Sequence, residues 1–219
     1  MHRQNKNRGF TIIELLFAMS FVSVLLIIVL TATLQITRIY NKGITLKQVN
    51  QSGAAIGNEL QTSLKAGDAP LSIDAVKNSD NTGGRLCLGT YSYVWNLKGA
   101  TTNKYNGSTN KIGMVKVSDP SREMCDGTQN VPKADATELI LGSQDTAGVH
   151  LELRDFSIDR VASSGINYVY NITYTVSTDD HSLISADTEA CSGRSSDEFC
   201  ALNRFSFEVF ARQGGSGKV

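Results

Sequence analysis

The sequence predicts an α+β fold in which a long N-terminal helix packs on an antiparallel β-sheet head. Three observations support this prediction. The segment from Leu15 to Thr37 is apolar and carries no charged residue. Residues 38–66 then place apolar and small side chains at alternating intervals of three and four, as on one face of a helix. Later segments alternate apolar and polar residues with a period of two, the pattern of strands with one buried face.

The first apolar segment is long enough to cross a membrane. Roughly 20 residues at about 1.5 Å each span a hydrocarbon core of about 30 Å. The segment contains no proline, and the next glycine after it is Gly43. The leader, residues 1–9, carries three Lys or Arg residues and no acid, which holds an N-terminus on the cytoplasmic side. We therefore expect a transmembrane helix over residues 10–37, with everything after Arg38 outside the cytoplasm.

One carboxylate, that of Glu14, lies near the start of the predicted transmembrane helix. An ionisable group in such a segment is costly and marks a functional site by default. It belongs to the run Arg8-Gly9-Phe10-Thr11-Ile12-Ile13-Glu14-Leu15-Leu16. This run resembles the class III signal of type IV pilins and type II secretion pseudopilins. The resemblance implies cleavage between Gly9 and Phe10 by a membrane prepilin peptidase, N-methylation of the new amino group of Phe10, and a pilin-like fold.

Glu14 then has a physical role that fits the resemblance. Burying a lone carboxylate costs several kcal/mol, and the nearest available cation is the amine of Phe10, in the same subunit or in an incoming neighbour. The helix dipole also favours a carboxylate in the first turns. We expect this charge pair to set the axial register between subunits. The alternative is a carboxylate that only reaches to the lipid headgroups.

The resemblance also implies partners and a location. The partners are other pilin or pseudopilin subunits, the prepilin peptidase and methyltransferase, an inner-membrane assembly platform, and membrane lipid before assembly. No cofactor is implied. The protein is expected in the cytoplasmic membrane as a single-pass protein, and then in an extracellular pilus or a periplasmic pseudopilus.

The type of subunit follows from the first helix. Major pilins of the type IVa class often carry a proline there, and this chain has none before Pro70. The sequence therefore favours a minor pilin of a type IV pilus. The alternatives are a minor pseudopilin of a type II secretion system or of a competence DNA-uptake pseudopilus, and a single-pass binding protein that never polymerises.

The second half of the helix, residues 38–66, is amphipathic. It is expected to end at Gly67-Asp68-Ala69-Pro70, where a glycine stop precedes a proline. Residues 67–219 then form the head. The residues predicted to face the head are Leu46, Val49, Gly53, Ile56, Leu60 and Leu64.

The head is predicted to be rich in strands. Residues 71–84 form a loop, and a phase shift near Arg154-Asp155 indicates a β-bulge. The clearest period-two patterns run from Ile166 to Val176 and from Phe205 to Ala211. Shorter or interrupted strands are predicted at Leu86–Leu97, Ile112–Val117, Glu138–Leu141 and Val149–Ile158.

Four cysteines lie beyond the membrane segment, where disulfides are plausible. They are Cys87, Cys125, Cys191 and Cys200. Four cysteines allow three connectivities, and we favour the neighbour pairs Cys87–Cys125 and Cys191–Cys200. Metal binding is the alternative, but neither a Cys-x-x-Cys spacing nor a nearby histidine supports it.

Charge and motifs favour a structural role over catalysis. Without the three basic residues of the leader, 18 basic residues face 21 acidic ones, so nucleic-acid binding is possible but unsupported. The Gly214–Lys218 run has Arg212 where a phosphate loop needs its first glycine.

His150 and His181 lack an adjacent nucleophile pattern, so no enzyme and no metal site is predicted. Calcium binding by the acidic loop 179–198 is less favoured than a solvated loop. The aromatic residues Tyr91, Tyr93 and Trp95 and the tyrosines of 166–176 are assigned to the core.

Overall fold

A computed structural model gives the fold of the chain. It describes residues 10–66, 76–77, 81–107, 111–126, 130–140, 150–164, 167–179, 184, 190–191 and 199–212. The chain divides into two compact units, with the boundary between Asn41 and Lys42.

The first unit contains the N-terminal part of one long helix, α1, which runs from Ile12 to Lys65. Residues 10–40 are exposed without exception, although most are apolar. The helix is long and apolar enough to cross a membrane, as expected from its composition. Its predicted stop at Gly67-Asp68-Ala69-Pro70 lies outside the described residues.

The second unit contains the rest of α1, and one face of this segment is buried in the head. The predicted stripe is confirmed from Val49 to Leu64, but Leu46 is 44% exposed, so its assignment to the buried face is wrong. Leu46 instead lies on the exposed flank of the helix, near Gly43 and Ala54. The buried residues of the segment are Thr45, Val49, Gly53, Ile56, Gly57, Leu60 and Leu64.

Five strands of the head form an antiparallel sheet in the order β1-β2-β3-β4-β5. The single strand predicted over Leu86–Leu97 is wrong, because a turn at Gly89-Thr90 divides it into β2 and β3. Gly89 adopts a φ of 60°, a conformation that glycine reaches without strain. The loop predicted over 71–84 also contains β1 and the start of β2. The strands are β1 Val76–Lys77, β2 Gly83–Leu88, β3 Tyr91–Asn96, β4 Met114–Ser118 and β5 Ala136–Ile140.

The remaining three strands form a second antiparallel sheet in the order β6-β7-β8. The register of β6 shifts between Leu153 and Asp155, which confirms the predicted β-bulge. The head therefore contains two sheets where the sequence indicated one, and they meet where the amide of Lys98 donates to the carbonyl of Leu153. The strands are β6 Leu151–Ser164, β7 Asn167–Thr178 and β8 Leu202–Arg212.

The main core of the second unit combines α1 with both sheets. Trp95 of β3 and Phe156 of β6 lie 4.4 Å apart between ring centroids, and Tyr174 of β7 stacks on Phe205 of β8 at 5.2 Å. These aromatic contacts confirm the core assignment for most of the candidate stacking residues. Tyr91 is the exception among them, with 41% of its surface exposed.

Two glycines let α1 approach the three-stranded sheet closely. The hydroxyl of Tyr174 donates to the carbonyl of Gly53 at 2.7 Å. A Cβ atom at Gly53 would overlap the ring of Phe205, and one at Gly57 would lie 2.8 Å from the Tyr174 hydroxyl. Glycine at these positions weakens the isolated helix but removes the side chains that would hold the sheet away.

The other side of α1 is fixed to the five-stranded sheet by polar contacts. The ammonium of Lys116 donates to Oε1 of Glu59 at 2.6 Å, and the hydroxyl of Tyr93 donates to the same oxygen at 3.1 Å. Ser63 lies one turn further along α1, and its hydroxyl is 2.6 Å from that of Tyr93. Together these four side chains form the Glu59 network, which fixes the helix against β3 and β4.

Candidate functional site

The candidate site is the start of α1. Phe10 and Thr11 precede the first helical residue, Ile12, and the side chain of Phe10 is 88% exposed. Glu14 lies in the first helical turn and is also exposed. Gly9, the residue expected before the cleavage point, lies outside the described residues. The structure thus presents Phe10 and Glu14 together at one exposed helix end.

Glu14 and Thr11 form a reciprocal cap of the helix. The backbone N–H of Thr11 donates to Oε2 of Glu14 at 3.0 Å, and the Thr11 hydroxyl donates to the same oxygen at 2.9 Å. The backbone N–H of Glu14 donates to the Thr11 hydroxyl oxygen at 3.4 Å. This is the capping box, in which two otherwise unpaired groups of the first turn satisfy each other.

Sequence reasoning missed Thr11 as part of this site. The signal was present, because a threonine followed three residues later by glutamate and then by an apolar run is the pattern of a capping box. The Glu14 carboxylate therefore accepts two hydrogen bonds from its own chain at the positive end of the helix dipole. Because Glu14 is exposed, the carboxylate can also contact a cation.

The helix that follows this cap is an apolar surface. Leu15, Phe17 and Phe21 are each more than half exposed, and the same holds for most apolar residues up to Tyr40. Soluble monomers rarely expose a continuous apolar surface of this extent, which marks a membrane or protein contact. The arrangement therefore combines a hydrogen-bonded carboxylate at the helix start with a helix whose exposed apolar surface suits lipid or other helices.

Comparison with known families agrees with this geometry. Residues 4–30 match the family model described as the prokaryotic N-terminal methylation motif. The chain therefore carries the prepilin-type signal that pilins and pseudopilins share, and the match includes Gly9, Phe10, Thr11 and Glu14. Signals of this family belong to structural rather than catalytic proteins and indicate membrane anchoring. No curated protein and no solved structure matches the chain.

The four cysteines lie in the second unit as two bonded pairs. Cys87 of β2 is bonded to Cys125, which lies in the 3₁₀ helix Glu123–Asp126, and Cys191 is bonded to Cys200. The Cα–Cα distance is 5.9 Å in both pairs, within the usual range for disulfides. This geometry fits the neighbour pairing.

Asp119 lies beside the first pair, and its carboxylate with the two sulfurs forms a group within 4.8 Å. The metal-binding form of cysteine is the thiolate, which a disulfide lacks. Asp119 also accepts hydrogen bonds from the hydroxyl of Ser92 at 2.7 Å and from the backbone N–H groups of Glu123 and Met124 at 2.9 and 3.0 Å. Its role in this geometry is to cap the short helix that carries Cys125.

Two of the other candidate residues, His150 and Asp179, are among those that the structure describes. His150 lies just before β6 and is half-buried, with its carbonyl accepting the N–H of Asp179 at 3.0 Å. Asp179 is the one acidic residue of the 179–198 loop that the structure describes. The remainder lie outside the described residues, as do His181 and Gly214–Lys218; these acidic residues are Asp180, Asp187, Glu189, Asp197 and Glu198.

Proposed function

We propose that this protein is a structural subunit, a minor pilin, of a type IV pilus. In this proposal, prepilin peptidase removes residues 1–9 by cleavage between Gly9 and Phe10, and the new amine of Phe10 is methylated. Residues 10–37 anchor the subunit in the cytoplasmic membrane until it joins the filament. The observation that carries the proposal is the Thr11–Glu14 cap at the start of an exposed apolar helix, inside a matched methylation motif.

The cap explains how a carboxylate is tolerated before assembly. A lone buried carboxylate costs several kcal/mol, and two donors from Thr11 offset part of that cost while the subunit is in lipid. During assembly the Phe10 ammonium of a neighbouring subunit supplies a full opposite charge. Since that pair forms at one axial offset only, it sets the register while the apolar helix faces provide the contact area.

The uninterrupted helix supports the minor-subunit proposal. α1 runs from Ile12 to Lys65 without a break, and no proline bends it. In functional terms we divide the chain into a leader 1–9, a membrane half 10–37, an amphipathic half 38–66 and a head 67–219. We assign the protein no enzymatic activity, since its role is to be processed and then to pack against other subunits and the assembly platform.

Mass analysis of the N-terminus of the native protein tests the processing step. The expected result is a chain that starts at Phe10 and carries one methyl group on its amine. A Gly9→Leu variant should retain the leader, because the peptidase must accommodate the residue before the cut. An intact leader on the wild-type protein would contradict the proposal and favour an anchored protein that does not polymerise.

Glu14→Ala tests the assembly step. The variant should insert into the membrane as the wild type does, because a more apolar helix crosses lipid at least as well. It should be depleted from sheared filaments by at least about tenfold, if loss of the charge pair costs more than about 1.4 kcal/mol. Glu123→Ala is the matched control, because Glu123 is an exposed glutamate of the head outside β8 and its replacement should leave incorporation unchanged. Equal incorporation of the Glu14 variant would exclude the register role.

A further inference from the structure

The outer edge of β8 is an unusual surface for an exported head. Among the described residues, β8 has a strand neighbour only on the side of β7, so the backbone groups along its other edge have no strand partner. The strand spans Leu202–Arg212 and pairs with β7 without a register shift. It contains neither proline nor lysine, which proteins commonly place on edges to prevent pairing with other chains.

The side chains of β8 divide between two faces. Phe205 and Phe207 lie against Gly53 and Gly57 of α1, so the odd-numbered residues face the helix. The even-numbered residues therefore face away from it, and most are exposed, including Phe210 at 70%. An exposed phenylalanine on a regular edge strand is a typical anchor for a protein contact.

The sequence of the outward face is self-complementary about Ser206. If two copies of β8 pair in antiparallel orientation with Ser206 opposite Ser206, each Arg204 lies opposite a Glu208. Each Leu202 then lies opposite a Phe210. Opposite charges and apolar pairs are the cross-strand combinations that stabilise antiparallel strands. A two-fold axis at Ser206 produces each favourable pair twice, as an isologous interface requires.

The start of β8 contacts the exposed flank of α1. Asn203 of β8 donates to Oδ1 of Asn50 at 2.7 Å, so the strand and the helix are fixed to each other at this end.

The direction of β8 determines which copies can pair. Asn203 contacts Asn50, Phe205 lies by Gly53 and Phe207 lies by Gly57, so residue numbers rise together along β8 and α1. Antiparallel pairing of β8 therefore makes the two head segments of α1 antiparallel.

We propose that β8 is a homotypic docking edge, at which the heads of two copies of this chain join by antiparallel pairing centred on Ser206. This contact lies in the head and goes beyond the proposed filament function, because it needs neither leader cleavage nor the Glu14 pair. It joins chains of opposite polarity, whereas the N-terminal helices of one filament are expected to run in parallel.

A cysteine crosslink tests the register. In the full-length chain in detergent micelles, Ser206→Cys should form a disulfide-linked dimer under mild oxidation, because residues opposite each other in an antiparallel pair have Cα atoms about 4.5–5.5 Å apart. All four native cysteines are already bonded. Ser157→Cys is the matched control, in the same cross-strand row but on β6, and should stay monomeric. Equal dimer yields from the two variants, or no dimer from Ser206→Cys, would overturn the proposal.

Charge reversal tests the partner. In the Ser206→Cys background, Arg204→Glu and Glu208→Arg each place like charges opposite each other twice, so each should lower the dimer yield about tenfold. Mixing the two variants restores both opposite-charge pairs and should restore the dimer. Each variant is first shown to keep the wild-type unfolding midpoint. A mixture that stays monomeric, or single variants that still dimerise, would show that Arg204 and Glu208 are not opposite each other and would overturn the proposed homotypic edge.

Discussion

Gly53 and Gly43 lie in the same helix but have different surroundings. A Cβ atom at Gly53 meets the ring of Phe205, whereas one at Gly43 has no atom within 4 Å. Gly53→Ala should therefore destabilise the head by about 1 kcal/mol, since overpacking costs about 1–3 kcal/mol and the gain in helix propensity offsets about 1 kcal/mol of that cost. Gly43→Ala should stabilise the head by about 0.5–1 kcal/mol.

Urea unfolding of the detergent-solubilised chain compares the two variants directly. Opposite signs for the two substitutions are the expected result. If both variants gain stability equally, the close approach of α1 to β8 does not hold in solution.

Glu59 provides a second test at a single residue. The hydrogen bond from Lys116 lowers the pKa of Glu59 below its usual value, and partial burial opposes this only in part. A carboxyl group whose pKa is lowered by folding stabilises the protein above its unfolded pKa, and this contribution disappears as the pH falls through the folded pKa. Glu59→Gln should therefore cost about 1 kcal/mol at neutral pH and progressively less as the pH falls below 4.5.

Unfolding midpoints of wild type and Glu59→Gln across this pH range provide the measurement. Glu123→Gln serves as the control, because Glu123 is an exposed glutamate outside the Glu59 network. A Glu59→Gln difference that stays constant with pH would show that the ion pair with Lys116 does not contribute.

At the scale of elements, the two disulfides constrain the head unequally. Cys87 and Cys125 are 38 residues apart and join β2 to a short helix, whereas Cys191 and Cys200 are 9 residues apart. A crosslink that closes a longer loop removes more entropy from the unfolded chain. Replacing both cysteines of the first pair by serine should cost about 4 kcal/mol, against about 2.5 kcal/mol for the second pair.

Guanidinium unfolding of the two double-serine variants measures both costs under identical conditions. The order of the two values is the decisive result, because native-state effects scatter the absolute values. A larger loss from the Cys191 pair would indicate that the native contacts around that loop, rather than loop length, determine its contribution.

The sequence patterns predicted elements well where one physical signal dominated. The apolar run and the amphipathic stripe after it predicted α1, period-two alternation located β7 and β8, and a phase shift located the bulge of β6 after Leu153. The patterns failed where a signal was short. Gly89 turns the chain between β2 and β3, but a lone glycine also fits the interior of a strand. The division into two sheets depends on long-range pairing, which local alternation does not encode.

The functional features likewise divide into those that local sequence predicts and those that require the three-dimensional fold. Phe10 and Glu14 follow from local sequence alone, because charge, hydrophobicity and spacing define them. The hydrogen bonds of Thr11 to Glu14 also follow from a local pattern, so they were predictable but missed. By contrast, the docking edge of β8 requires the strand order, which places this strand at the margin of its sheet.

At the scale of the whole molecule, all buried core residues in the described part of the chain lie in the second unit. The core residues that α1 contributes, Val49, Ile56, Leu60 and Leu64, are at most 1% exposed and lie C-terminal to the boundary at Lys42. The head therefore needs the amphipathic half of α1 as an internal element and does not need the membrane half.

Two fragments test this dependence. Residues 42–219 should be soluble without detergent and should unfold in one cooperative transition, because they keep the complete core. Residues 67–219 lack the helix and should aggregate or bind a hydrophobic dye, since each large apolar side chain removed from a core costs about 2–5 kcal/mol and this fragment loses four. A folded 67–219 fragment would mean that the two sheets bury each other without α1. In that case the glycines at positions 53 and 57 would serve docking rather than folding, and helix and head would be separable domains.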